Sequence, residues 1–152
     1  GGSIALGMAL ATRGNGNHVY LLMGDGECNE GQVWEMALSA SHYKVDNLIA
    51  FVDYNHKQLD GTTEDILDMG DIRAKFESFG WYAREIGGND VEAIYNAIED
   101  AKANNGGKPS MIILQTTKGC GVKWVEEMLL NHHIVITKEQ ADAAIAEIRA
   151  QG

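Results

Sequence analysis

This chain has one proline, two cysteines and only 12 lysines and arginines in 152 residues, and no long apolar run. Each scarcity excludes something. A membrane-spanning helix needs about eighteen consecutive apolar residues or more, and nothing here approaches that length. Two cysteines, Cys28 and Cys120, are too few for a disulfide framework and lack Cys-x-x-Cys spacing, so free thiols are expected, both in loops at the ligand edge of a sheet. The 12 basic residues against 22 acidic ones leave a formal charge of −10, which argues against a nucleic-acid surface, because phosphate backbones demand clustered Lys and Arg. Gly1-Gly2-Ser3 carries no basic segment of a signal peptide, and a cytoplasmic location is expected.

What is present reads as one domain over residues 1–152, with 45% hydrophobic residues and a core of ordinary size. Helix and strand patterns alternate without a low-complexity linker or internal repeat. Helices are expected at 3–12, 32–43, 72–79 and 91–103, the last capped by Asp90, with strands at 18–23, 48–53, 81–86 and 110–116. Pro109 precedes the last strand, where a missing ladder donor is tolerated. The helix around 32–43 spreads Val33, Trp34, Met36, Ala37, Leu38 and Ala40 over most of its circumference, predicting burial on several sides, against the sheet and another subunit. Residues 56–68 read as a long binding loop, and 117–135 as a second loop. Thr137-Lys138-Glu139-Gln140 is a capping box ahead of a terminal helix.

The chemistry concentrates at Gly24-Asp25-Gly26-Glu27, directly after the apolar run 19–23, and at Asn55, which ends a second apolar run. A Gly-Asp-Gly alone also makes ordinary tight turns. Here both halves fall where parallel strands end, with a helix between them, and ligands of open α/β sheets bind at that edge. A carboxylate and an amide oxygen are hard ligands suited to Mg²⁺ carrying a diphosphate, and Ca²⁺ or Mn²⁺ can substitute. Gly24 and Gly26 are expected to allow positive φ and close approach of main-chain N–H groups to phosphate oxygens.

The run GDGECNEGQVWEMALSASHYKVDNLIAFVDYNHKQLDG resembles the thiamine diphosphate motif of transketolases, and SIALGMALA, FGWYAREIGGNDVEAIYNAIEDA and KPSMIILQTTKGCGVKWVEE resemble other transketolase segments in the same order. The resemblance covers essentially the whole chain. It implies a doubly wound, mostly parallel sheet with helices on both faces, the diphosphate-binding domain of the thiamine diphosphate fold. The family's segment preceding SIALGMALA is not seen, so a domain incomplete at its N-terminus is expected, similar to the later half of the short subunit of split transketolases.

By this resemblance, Asp25, Asn55 and the backbone carbonyl of Lys57 hold the metal, and Gly24, Gly26 and the Glu27 N–H meet the diphosphate. Leu59 matches the apolar residue against the thiazolium ring, and an ordinary loop anchor is its other reading. Lys118 reaches the diphosphate or aminopyrimidine, or is simply solvated. His132 matches the family histidine near the reacting carbon, where an imidazole can shuttle a proton or polarise a substrate hydroxyl, with His133 beside it as a rival and a surface loop histidine as its other reading. Asn131 stands where many relatives have Trp, and Asn89 where the family has a His. Glu30 matches an interface carboxylate, and helix-start stabilisation explains it equally well. His18, His42 and His56 read as structural.

The activity implied is transfer of a two-carbon ketol unit from a ketose phosphate to an aldose phosphate. A pyrimidine-binding domain or subunit completes the site, giving an oligomer with the active site at an interface, and the isolated chain is expected to be inactive. Two other readings remain open: a component of a 2-oxoacid dehydrogenase, or a non-catalytic Mg²⁺-diphosphate module, the latter disfavoured by the absence of Gly-x-Gly-x-x-Gly and of a Walker lysine.

Overall fold

Four apolar runs become strands: β1 (Val19–Gly24), β2 (Leu48–Tyr54), β3 (Tyr82–Gly87) and β4 (Ser110–Gln115). In this computed structural model, which describes residues 1–151, they form one sheet in the order β1-β2-β4-β3, every pairing parallel. The two central strands are buried along most of their length, as parallel strands covered on both faces must be, while at the edges β1 alternates and β3 is only partly buried. Helices α1 (Gly2–Ala11), α2 (Gly31–His42), α3 (Thr63–Leu67), α4 (Ile72–Ser78), α5 (Val91–Asn104), α6 (Lys123–Glu126) and α7 (Lys138–Gln151) connect or follow them.

The period-two alternation of the strands sorts their side chains into two cores. Leu48, Ala50 and Val52 of β2 and Met111 and Ile113 of β4 pack with Ala5, Ala9, Met36, Ala40 and Phe76 from α1, α2 and α4. Ile49, Phe51, Ile112 and Leu114 pack on the other face with Ala97 and Ala101 of α5. Helices therefore lie on both faces, the doubly wound architecture the sequence predicted. On β1, Tyr20 and Leu22 extend past the α5 core and stay exposed.

The caps follow the sequence. Asp90 Oδ1 accepts from the amides of Glu92 and Ala93, and Thr137 and Gln140 exchange side chain-to-amide bonds in both directions, the two halves of a capping box. Two loop expectations differ from the fold, and the α2 expectation is met on the sheet face within this chain. In α2, Val33, Met36, Ala37 and Ala40 are buried but Leu38 is 61% exposed, so within this chain the helix buries one face, not several. The 56–68 segment is not a continuous loop: Lys57 and Thr62 form an antiparallel bridge, and Thr62 Oγ1 caps α3 by accepting from the Asp65 amide. The 117–135 loop likewise contains α6, a single turn with no apolar periodicity to announce it.

Gly88, just past β3, has no room for a side chain. A Cβ there would lie 2.4 Å from Thr116 Cγ2 and 2.9 Å from the Leu114 backbone. Gly88→Ala is expected to destabilise the chain by about 1–3 kcal/mol, read as a lower denaturant midpoint at unchanged slope.

Candidate cofactor site at the carboxyl edge of the sheet

Register brings the ends of three strands together. Gly24 pairs with Asp53 and Tyr54 with Gln115, so the chain leaves β1, β2 and β4 side by side at Asp25, Asn55 and Thr116. The ladder runs one residue further on both sides: the Asp25 amide donates to Asp53 O at 3.1 Å and the Thr116 amide to Tyr54 O at 3.2 Å, while Thr116 Oγ1 donates to the Asp53 carboxylate.

Asp25 is the centre of this edge. It is only 2% exposed, and its two oxygens accept from the amides of Gly26 (2.7 Å) and His56 (2.8 Å), tying the loop after β1 to the loop after β2. Asn55 Oδ1 accepts from the Lys57 amide at 3.1 Å, which fixes the same loop from within. Burial pushes the Asp25 carboxyl above its ordinary pKa; the two amide bonds pull it back without cancelling that effect, and nearby Asp53 adds to the rise. Among the described residues, no Lys, Arg or His forms an ion pair with Asp25. A buried carboxylate without a counter-charge, beside an amide oxygen and an open strand end, fits a hard divalent cation bound to phosphate oxygens. No group of three His, Cys, Asp or Glu assembles among the described residues. A cation held by one carboxylate and two carbonyl oxygens, with water and phosphate completing its shell, requires no such group.

The glycines of the motif work differently from expectation. Neither Gly24 nor Gly26 has a positive φ; the left-handed residue is His56, at φ 62°, which turns its amide onto Asp25. Gly24 leaves space, since a Cβ there would meet nothing within 4 Å, whereas a Cβ on Gly26 would meet the Gln58 side chain at 3.1 Å. Gln58 in turn donates to Asn29 Oδ1 at 2.9 Å, closing the loop after β2 over the 3-10 turn Gly26–Asn29. Among the described residues the Glu27 amide has no backbone acceptor.

Lys118 and His132, 14 positions apart, meet: Lys118 Nζ donates to His132 Nδ1 at 3.0 Å. Since that nitrogen accepts, the imidazole proton sits on Nε2. His133 packs edge-on against the His132 ring, with centroids 4.9 Å apart, and does not share the lysine. Buried Asn131 donates to Val125 O at 2.9 Å, and Asn89 Oδ1 accepts from the Thr117 amide at 2.8 Å, so both departures from the family pattern serve as loop anchors. Leu59 is 53% exposed on the loop after β2. Glu30 is exposed at the N-cap of α2 and makes no side-chain capping bond. Cys28 is buried, its thiol pushed up to about 12 by burial and by the charges of Asp25 and Glu27, while Cys120 is exposed; both are free.

His56 is the site residue that sequence reasoning undervalued. Its ring lies 4.1 Å from that of Tyr54, with Nδ1 3.0 Å from Glu64 Oε1 and Nε2 3.1 Å from Gln115 Oε1. Burial lowers its pKa, but the bonds to Glu64 and Gln115 and the charges of Glu64 and Asp25 outweigh that and raise it. The stability this adds is fully present below the ordinary histidine pKa and lost as pH rises through the raised one. The available signal was a histidine directly after Asn55 at a strand end, a residue type enriched in left-handed backbone.

Among the described residues no helix is long and apolar enough to cross a membrane. The sequence profile described as transketolase, thiamine diphosphate binding domain, matches residues 11–149. A 6-deoxy-6-sulfo-D-fructose transketolase subunit from Clostridium sp. (strain MSTE9) is 43% identical over 154 residues, covering 100% of this chain and 56% of that protein. An apulose-4-phosphate transketolase subunit from Actinobacillus succinogenes is 39% identical, covering 96% of this chain and 53% of its own length. The chain thus spans about half the length of these curated relatives. Among solved structures, the transketolase of Campylobacter jejuni superposes with a TM-score of 0.74 over 99% of this chain and 29% of its own, at 24% identity, a likeness of fold. Profile and relatives show that this chain belongs to the transketolase family, in its thiamine diphosphate-binding domain.

Proposed function

We propose that this chain anchors the Mg²⁺ and diphosphate of thiamine diphosphate in a transketolase that moves a two-carbon ketol unit from a ketose phosphate to an aldose phosphate. The observation that carries the proposal is the buried carboxylate of Asp25, unpaired with any basic side chain among the described residues and clamped between Gly26 and His56 at the joined ends of β1 and β2. Thiamine diphosphate, when bound, supplies the nucleophilic carbon and the electron sink.

The chain's own residues hold and orient. Asp25, Asn55 Oδ1 and the Lys57 carbonyl take the metal, and the Glu27 amide with the space over Gly24 receives the diphosphate. Leu59 offers an apolar surface to the thiazolium. His132, its proton kept on Nε2 by Lys118, donates from that atom to a substrate oxygen. The pyrimidine-binding half of the pocket comes from a partner domain or subunit, with the site at the interface. The two relatives named above are called subunits and are named for anionic sugars, which supports a split enzyme acting on a sugar carrying a phosphate or sulfonate group.

A two-carbon transfer assay, run on the chain with its pyrimidine-domain partner, tests the proposal against oxidative decarboxylation of a 2-oxoacid. Ketol transfer only with Mg²⁺, thiamine diphosphate and partner is expected; decarboxylation without transfer, or transfer by the chain alone, contradicts it. Gly24→Ala is a finer probe. It is expected to leave the melting temperature within about 2 °C, because the added methyl meets nothing within 4 Å, and to weaken Mg²⁺-thiamine diphosphate binding about tenfold or more by intruding on the diphosphate.

A further inference from the structure

Lys57 enters the proposed site only through its backbone carbonyl, yet its side chain spans the edge of the sheet. The Lys57 ammonium donates to the carbonyl of Glu126 at 2.8 Å and to that of Met128 at 2.8 Å, at the end of α6 and just beyond it. Neither acceptor is a carboxylate, and Lys57 forms no salt bridge among the described residues. These are also the hydrogen bonds that join residues 55–62 to residues 118–135 among the described residues.

The second segment is otherwise held by its own bonds and by two to α7, from the Lys123 amide to Glu147 Oε1 and from Gln151 Nε2 to Gly121 O, both at 3.0 Å. Asn131 donates to Val125 O, Glu126 Oε1 accepts from the Gly121 amide at 2.8 Å, and Lys118 bonds His132. It has little core of its own, for Val122 is its one buried apolar residue, α6 buries none, and Leu129 and Leu130 are exposed. A loop that lacks apolar burial takes its position from its hydrogen bonds.

We infer that the Lys57 side chain is the positioning strut that sets the Lys118–His132 pair over the metal-binding loop. One residue then serves both halves of the site: its carbonyl faces the metal and its ammonium fixes the loop bearing the histidine. The inference rests on the proposed function for its catalytic meaning, but the strut itself is a statement about two loops.

The test uses Lys57→Met and Lys57→Arg in the chain assembled with its partner, since both retain the backbone carbonyl. Amide hydrogen exchange is read first, without cofactor or substrate. Lys57→Met is expected to lose protection at 124–132 while 48–54 stays protected, and Lys57→Arg, which still donates to two carbonyls, to restore it. In the loaded enzyme, Lys57→Met is expected to keep Mg²⁺-thiamine diphosphate affinity within about threefold and to lose kcat by about tenfold to a hundredfold, the scale of a misplaced catalytic group. Unchanged exchange at 124–132 in Lys57→Met, or a loss of cofactor affinity as large as the loss of kcat, would overturn the inference. If the wild-type complex does not bind the cofactor at all, the functional reading fails, and the exchange result still decides the strut.

Discussion

Asp25→Ala is expected to abolish Mg²⁺-dependent thiamine diphosphate binding, raising Kd by about a hundredfold or more, while leaving the apo chain's stability at neutral pH within about 2 kcal/mol. The two effects separate because the site is built around an uncompensated buried charge. Removing the carboxylate deletes two charge-assisted hydrogen bonds, from Gly26 and His56, and at the same time relieves the desolvation that dominates its raised pKa. For most buried ionised groups with a partner, truncation strips the partner as well; among the described residues no basic side chain pairs with Asp25.

The same carboxylate gives the pH dependence its sign. Its folded pKa stands above the unfolded value, so the stability tied to its protonation is fully present below the ordinary aspartate pKa and lost as pH rises through the raised one. Wild type should therefore gain stability relative to Asp25→Ala as pH falls across that window. Metal and proton compete for the carboxylate, so Mg²⁺-dependent affinity should decline on acidification, starting at a higher pH than an ordinary aspartate would give. Urea unfolding of both proteins across pH, with calorimetric titration of the assembled wild type, reads both effects. A loss of wild-type stability relative to Asp25→Ala as pH falls through that window would contradict this picture.

His132→Ala is expected to lower kcat by about 10²–10⁴ with the Mg²⁺-thiamine diphosphate affinity changed less than about tenfold, whereas His133→Ala should change kcat less than about threefold. Only His132 shares the lysine, and that contact fixes the proton on Nε2. Lys118→Met removes the donor and releases the tautomer; a smaller loss, with a shifted pH profile of kcat, is expected. Steady-state kinetics with a ketose phosphate donor and an aldose phosphate acceptor measure all three variants. Equal losses from His132→Ala and His133→Ala would remove the assigned distinction.

How much of this could be read in advance depended on whether a feature was periodic. The strands, α5 with its Asp90 cap, and the α7 capping box announced themselves through spacing and side-chain chemistry, and the strand ends placed Asp25 beside the Asn55 loop. Glycine was misread. Gly24 and Gly26 suggested left-handed backbone, but the strain sits on His56, and the glycines leave space for a ligand and for Gln58. The meeting of Lys118 with His132 was not legible, because the path between them depends on bonds from Lys57 and Asn131 that no repeat encodes. For α2, apolar composition shows what can be buried, and packing within this chain shows that Val33, Met36, Ala37 and Ala40 face the core and Leu38 does not.

The most direct test of the metal-diphosphate site is anomalous diffraction from crystals of the assembled protein grown with Mn²⁺ and thiamine diphosphate. The expected result is a single peak within roughly 2–2.5 Å of an Asp25 carboxylate oxygen, Asn55 Oδ1 and the Lys57 carbonyl, with diphosphate oxygens completing the shell. A peak elsewhere, or cofactor bound with Asp25 still lacking a cation, would contradict the assignment.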